Sequence, residues 1–207
     1  MDYDKLIEQR RKISIRMQEL LNKKDFELSI RYLTGIHEYL FKGIYNSNGH
    51  LRKYNLNKDE EILNGETVNY PDYHTVPAFL KFAFADESKI DYNKLSTGEK
   101  IINVARFAAT IWQIHPFIEG NTRTTCIFTE KYLNYLGYKV NNDRFKDNAE
   151  YFRNTLVRAS YYNEELNIKK DIKPLVNFLL DIIMKKEIVY EDLCVQKLFN
   201  KKTEKRK

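Results

Sequence analysis

The chain has 207 residues, of which 43% are hydrophobic and 14% aromatic. That is enough to bury a core, so global disorder is excluded, and at about 100–200 residues per domain the length predicts a single domain. The two cysteines, Cys126 and Cys194, form no CxxC pair, which excludes a disulfide framework, a zinc ribbon and a thioredoxin-type site. The first residues are charged with no apolar stretch, and no run of about 18 apolar residues occurs anywhere. The expectation is a protein with neither signal peptide nor membrane span, cytoplasmic by default, although delivery into another cell is compatible with it. The formal charge is +6. Five bases and one acid in the last seven residues account for four of those charges. A basic tail at 201–207 therefore follows a nearly neutral body, and a nucleic-acid partner is not expected.

Seven glycines and four prolines are few, which favours long helices over many short strands. Apolar residues at helical spacing predict a helix over 3–22 and a second over 26–46, with Asp25 as its N-cap. Between 47 and 75 the period changes. Asn48-Gly49 and Asn64-Gly65 are turn dipeptides flanking short strand-like runs, and together they predict a small β-hairpin leaning on a helical body. Helical pattern resumes over 76–86. It is strongest over 97–114, whose nearly all-round apolar surface marks the central buried helix. A helix from about Thr122 to 136 ends at Gly137, a good residue just past a helix end. Helices over 145–163 and 172–187, the latter with Pro174 in its first turn, precede a short amphipathic piece at 188–199. No repeat or linker divides the chain. The fold class expected is all-α with one small hairpin.

Chemistry concentrates in Ile114-His-Pro-Phe-Ile-Glu-Gly-Asn-Thr-Arg-Thr-Thr-Cys126. It reads as a loop between a buried helix and the start of the next. Each component suits a bound phosphate. A helix N-terminus offers unpaired N–H groups and a positive dipole end, and Gly120 allows close approach of the backbone. Arg123 can grip phosphate oxygens, Glu119 can hold Mg²⁺ beside them, and His115 can accept a proton from a hydroxyl. Any one of these residues alone has a bland structural explanation; their concentration within nine residues does not.

His115-Pro-Phe-Ile-Glu-Gly-Asn-Thr-Arg123 resembles the Fic motif, HxFx(D/E)GNxRxxR, and matches it at His115, Phe117, Glu119, Gly120, Asn121 and Arg123. Ile36–Tyr45 followed by Gly49-His-Leu-Arg52 resembles the family's helix and turn leading into its flap. Ala105–Ile114 and Tyr151–Ser160 resemble two further core helices. The resemblance covers roughly residues 26–185 and implies one Fic-like domain over 1–200, a helical bundle with a β-hairpin flap.

The resemblance implies transfer of AMP from ATP to a Tyr, Ser or Thr hydroxyl of a target protein. His115 would be the general base and Glu119 the Mg²⁺ ligand. Phe117, Gly120, Asn121, Thr122 and Arg123 would bind the nucleotide. The flap, with Lys53, Tyr54 and Asn55 on one side and Thr67, Val68 and Asn69 on the other, would dock an extended target segment through main-chain hydrogen bonds. Two departures stand out: Thr122 replaces a usual glycine, and Cys126 replaces the motif's last arginine, whose family role is to bind the terminal phosphate. Ser160-Tyr-Tyr-Asn-Glu164 has the spacing of the family's inhibitory helix, which makes Ser160 and Glu164 candidates for self-inhibition. Otherwise a separate antitoxin protein would supply the glutamate, or there is no such inhibition; an antitoxin and self-association are the candidate partners besides the target protein and ATP. The alternatives are a Fic-like enzyme with another donor, by UMP transfer or another phosphate-group transfer, and a catalytically weak interaction module. The Lys/Asn/Ile/Tyr-rich composition is of the kind common in AT-rich bacteria.

Overall fold

The computed structural model describes residues 3–140 and 142–195. They form helices α1 (Tyr3–Asn22), α2 (Ile30–Phe41), α3 (Val76–Glu87), α4 (Thr97–Ile114), α5 (Asn121–Tyr135), α6 (Asn142–Asp147), α7 (Ala149–Ser160) and α8 (Lys173–Ile183), with three short 3₁₀ turns. Among the described residues the only β pairing is a single bridge between Asn163 and Ile168.

Helix α4 is the hub, packing on α3, α5, α7 and α8, while α5 lies between α4 on one side and α1 and α2 on the other. The start of α4 is written in Ser96-Thr-Gly-Glu99, where each end residue's side chain takes the other's backbone N–H in a capping box. Its apolar face carries Ile101, Val104, Ile111 and the fully buried Trp112, each large side chain contributing about 1.5–3 kcal/mol on burial. Helix α5 is polar in sequence yet almost wholly enclosed, from Thr124 to Leu133. Its Lys131 is only 4% exposed and donates to the carbonyls of Leu20 and Lys23 at 2.8 and 2.7 Å, closing the C-terminal end of α1.

Several boundaries differ from the sequence expectation. The second helix begins at Ile30, capped by Ser29, whose side chain accepts from the Tyr32 N–H. Asp25 is not a cap; its carboxylate instead pairs with Lys131 at 3.2 Å. The helix expected over 145–163 is two, α6 and α7, broken at Asn148. Described residues 188–195 are not helical; Val195 is buried and its N–H bonds the Ile62 carbonyl at 2.9 Å. The remainder of that piece and the basic tail at 201–207 lie outside the described residues.

The expected hairpin is absent. Asn64 and Gly65 do form a turn with positive φ, 58° and 85°, but they close a 3₁₀ turn at Glu61–Leu63 rather than two strands. The physical reason is that the backbone bonds across the turn stop at Glu60 and Glu66, and the residues beyond are held by side chains and by the body. The Arg52 guanidinium takes the carbonyls of His115, Tyr54 and Pro71 at 2.8, 2.9 and 2.5 Å. Its backbone N–H bonds the Pro116 carbonyl at 2.8 Å. Glu60, Leu63 and Val68 are each at most 1% exposed and anchor the segment inward. The composition between, Asn55, Asn57, Lys58 and Asp59, is poor in residues that favour strands.

Candidate active site

The site is built where α4 ends and α5 begins. His115 terminates α4 in the left-handed region, φ 50°, a conformation uncommon for a residue with a side chain. It is 4% exposed, and its Nδ1 lies 3.2 Å from the Trp112 carbonyl. A carbonyl only accepts, so Nδ1 carries the proton and Nε2 keeps its lone pair. Burial first, then the positive charges of Lys58, Arg52 and Arg153, push the His115 pKa down to about 3. The imidazole is therefore neutral throughout the physiological range.

The loop that follows is rigid because it binds itself. The Asn121 side chain donates to the Phe117 carbonyl at 2.8 Å and accepts from the Phe117 N–H at 3.0 Å. Asn121 thus spends both ends of its amide on the loop. Phe117 is fully buried and stacks at 3.8 Å on His37. His37 accepts from the Gly49 N–H through Nδ1 and donates through Nε2 to the Glu119 carbonyl, both at 2.9 Å. Burial, its largest influence, takes its pKa down to about 4, which keeps that bridge neutral. Thr122 accepts from the indole N–H of Trp112 at 2.9 Å. Gly120 has φ 82°, and a Cβ there would fall 2.3 Å from the Phe41 ring, so no other residue fits.

The first turn of α5 is left open. Gly120 offers α5 no side-chain cap, as at α3, α7 and α8; at α5, however, residues 120–123 line a pocket of about 470 Å³. His115 and Arg123 line that pocket together with Lys58, Glu60, Glu119 and Arg153. The Arg123 guanidinium lies over the Phe41 ring at 5.1 Å. The half-exposed Glu119 carboxylate pairs with Lys58 at 3.3 Å, and the Arg153 guanidinium pairs with the buried Glu60 at 2.7 Å. Among the described residues no group of three or more metal-ligating side chains occurs. The carboxylates that line the pocket are Glu60, Glu119 and Glu150. A larger hollow of about 650 Å³ beside Phe79 and Phe82 contains none of the motif side chains.

The other residues singled out in the sequence are dispersed. Lys53, Tyr54, Asn55 and Asn69 are exposed, Thr67 is half-buried, and Val68 is in the core. Asn55 ties the segment's two ends by bonding the Asp72 carboxylate and the Tyr73 N–H, both at 2.9 Å. Ser160 is buried at the end of α7, and Glu164 lines a separate hollow with Glu66 and Tyr161. Cys126 is 8% exposed in the core, where burial raises its thiol pKa. Sequence reasoning did not assign Lys58, Glu60 and Arg153 to the site. They reach it only through packing, and no local pattern marks them.

A helical scaffold that presents a buried, neutral histidine and an uncapped helix N-terminus to one polar pocket is the layout of a Fic-type transferase. The chain belongs to the Fic/DOC family, whose model matches residues 27–133. A relative from Sinorhizobium fredii (strain NBRC 101917 / NGR234), named "Probable protein adenylyltransferase y4lH", is 26% identical over 137 residues, covering 65% of this chain and 67% of that protein. Among solved structures, the N-terminal FIC domain of Bep8 from Bartonella sp. 1-1C superposes with a TM-score of 0.68 at 17% identity, covering 88% of this chain and 86% of that one. BepC from Bartonella tribocorum, solved with bound AMPPNP, gives 0.68 at 19% identity and 87% of each chain. Both are VirB-translocated effector proteins. Among the described residues here, no helix is long and apolar enough to cross a membrane.

Proposed function

We propose that this protein transfers AMP from ATP to a hydroxyl side chain of a target protein. The observation that carries the reading is the His115 environment: a neutral imidazole whose Nε2 lone pair shares one pocket with the open N-terminus of α5. The adenylyltransferase name of the Sinorhizobium relative and the AMPPNP bound by BepC support the choice of nucleotide.

In this reading the hydroxyl of the target gives its proton to His115 Nε2. Its oxygen attacks the α-phosphorus, the bond between that phosphorus and the bridging oxygen to the β-phosphate breaks, and pyrophosphate leaves. The orphan N–H groups at the start of α5 and the Arg123 guanidinium meet the phosphate charge. Asn121 and Phe117 act by fixing the loop, each bonded to the other. Glu119 is the residue that would hold Mg²⁺ together with the phosphates; a single carboxylate plus substrate oxygens is the usual Mg²⁺ arrangement, and when bound the ion neutralises charge on the phosphates. A pKa of about 3 makes free His115 a weak base. Bound polyphosphate offsets the three cations that depress it, so the base strengthens when substrate is present. The exposed backbone around Lys53–Asn55 and Thr67–Asn69 is the proposed docking edge for the target; Val68 contributes by anchoring it.

The test is incubation of the full chain with α-labelled ATP and a cell lysate, with labelled UTP and γ-labelled ATP in parallel. A protein band labelled from α-labelled ATP alone supports AMP transfer. Label from γ-labelled ATP or from UTP overturns it in favour of another donor chemistry.

A further inference from the structure

We propose that Arg153 of α7 grips the terminal phosphates of the bound nucleotide in place of the cation that Cys126 cannot supply, and that Glu60 is the positioning residue that aims its guanidinium into the pocket. This rests on reading the pocket as a nucleoside triphosphate site.

Three observations converge. First, Cys126, the sixth residue of α5, is buried in the core and does not line the pocket, so it contributes no charge there. Second, Arg153 comes from a different helix yet shares the pocket wall with Gly120, Thr122 and Arg123, the residues of the open α5 N-terminus. Its charge is felt at His115, the group that sits on the reacting side. Third, the guanidinium is ion-paired at the pocket wall. One terminal nitrogen lies 2.7 Å from an oxygen of the Glu60 carboxylate, which is itself 1% exposed, with the Tyr70 hydroxyl at 3.4 Å on the other carboxylate oxygen.

A carboxylate so enclosed is costly unless it is paired. Burial raises the Glu60 pKa, and the Arg153 charge is the largest influence acting the other way. A guanidinium has five N–H donors in a planar fork. Glu60 meets one terminal nitrogen, and the Arg153 side chain is 41% exposed and lines the pocket, so further donors remain for phosphate oxygens. Geometry therefore supplies both halves of a phosphate clamp: a pre-aimed fork from α7 and the N–H groups of α5 facing it.

The experiment measures ATP, ADP and AMP affinity by calorimetry on the full chain carrying His115→Ala, so that nucleotide is not consumed. Adding Arg153→Gln is expected to weaken ATP and ADP binding by about 10- to 100-fold while AMP changes less than about threefold, since charge-assisted phosphate contacts of this size are lost only where β- or γ-phosphates exist. Arg153→Lys is expected to recover only part of the loss, because a point charge does not replace a fork. Glu60→Gln is expected to weaken ATP by about 3- to 10-fold, leaving the guanidinium present but unaimed. Should Arg153→Gln unfold by leaving Glu60 unpaired, the Glu60→Gln/Arg153→Gln pair removes both charges and serves for the same comparison. An unchanged ATP-to-AMP affinity ratio in either Arg153→Gln background overturns the proposal, as does a parent protein that binds ATP no tighter than AMP. A parent that binds ATP and loses it with Arg153→Gln, yet labels no target when His115 is restored, would keep the clamp and reject AMP transfer.

Discussion

Two walls of one pocket are built in different ways. The motif wall, residues 115–126, is held by bonds between near neighbours: Asn121 to Phe117, Trp112 to Thr122, Thr124 to the Gly120 carbonyl. The facing wall, residues 51–72, contains no strand and is held by long-range side-chain contacts: Arg52 to His115, Lys58 to Glu119, Glu60 to Arg153. The first wall positions the reacting groups to within the play of a few short loops. The second is a cover tied on at three charged points. The proposed nucleotide site would thus rest on one wall held by near-neighbour bonds and one held from across the fold.

The comparison can be broken on the motif wall first. Gly120→Ala adds a Cβ at 2.3 Å from Phe41 and forces a side chain to φ 82°. Left-handed strain and overpacking together are expected to cost about 3 kcal/mol or more, lowering Tm by about 6–12 °C. Calorimetry showing an unchanged Tm would mean that the loop is not rigid in the way described.

Next comes the cover. Arg52→Met keeps the apolar stem but leaves the carbonyls of His115, Tyr54 and Pro71 without their donor, a loss of about 2–4 kcal/mol. Hydrogen exchange is expected to quicken over 52–72 while the amides of α4 and α5 keep their protection. Equal loss of protection on both walls would erase the distinction between them.

The chemistry of the base gives a subtler check. Only neutral His115 can accept a proton, and its pKa is about 3. Catalytic efficiency towards ATP, which reports the free enzyme, is therefore expected to stay flat as pH falls from 8 to 5 on account of this group. An acid limb centred near 6.5 that disappears with His115→Ala would contradict the burial described. The smallest expected effect belongs to Glu164, which lines a separate hollow from the motif residues. Glu164→Gly is expected to leave the AMP-transfer rate within about twofold, and a large gain would instead make it a restraint on the site.

How much was legible in the sequence follows the same division. Local signals carried the motif wall: the apolar run of α4 and the helix restart expected near Thr122, which begins at Asn121. The second helix begins at Ile30 rather than 26 because Asp25 is paired with Lys131 and Ser29 accepts the Tyr32 N–H. Asn64-Gly65 was read correctly as a turn and wrongly as a hairpin. The partners of its flanking residues, Arg52 among them, lie about sixty positions away in the chain, and no local pattern encodes that. For the same reason His37, Lys58 and Arg153 were not assigned to the site, although each touches or faces the motif.

The central claim is that His115 is the base of an AMP transfer on an intact scaffold. The most direct measurement compares wild type and His115→Ala for transfer of label from α-labelled ATP to protein, alongside their thermal unfolding. The account predicts a loss of about 10²- to 10⁴-fold or more in transfer with the fold retained. Undiminished labelling by His115→Ala would contradict it.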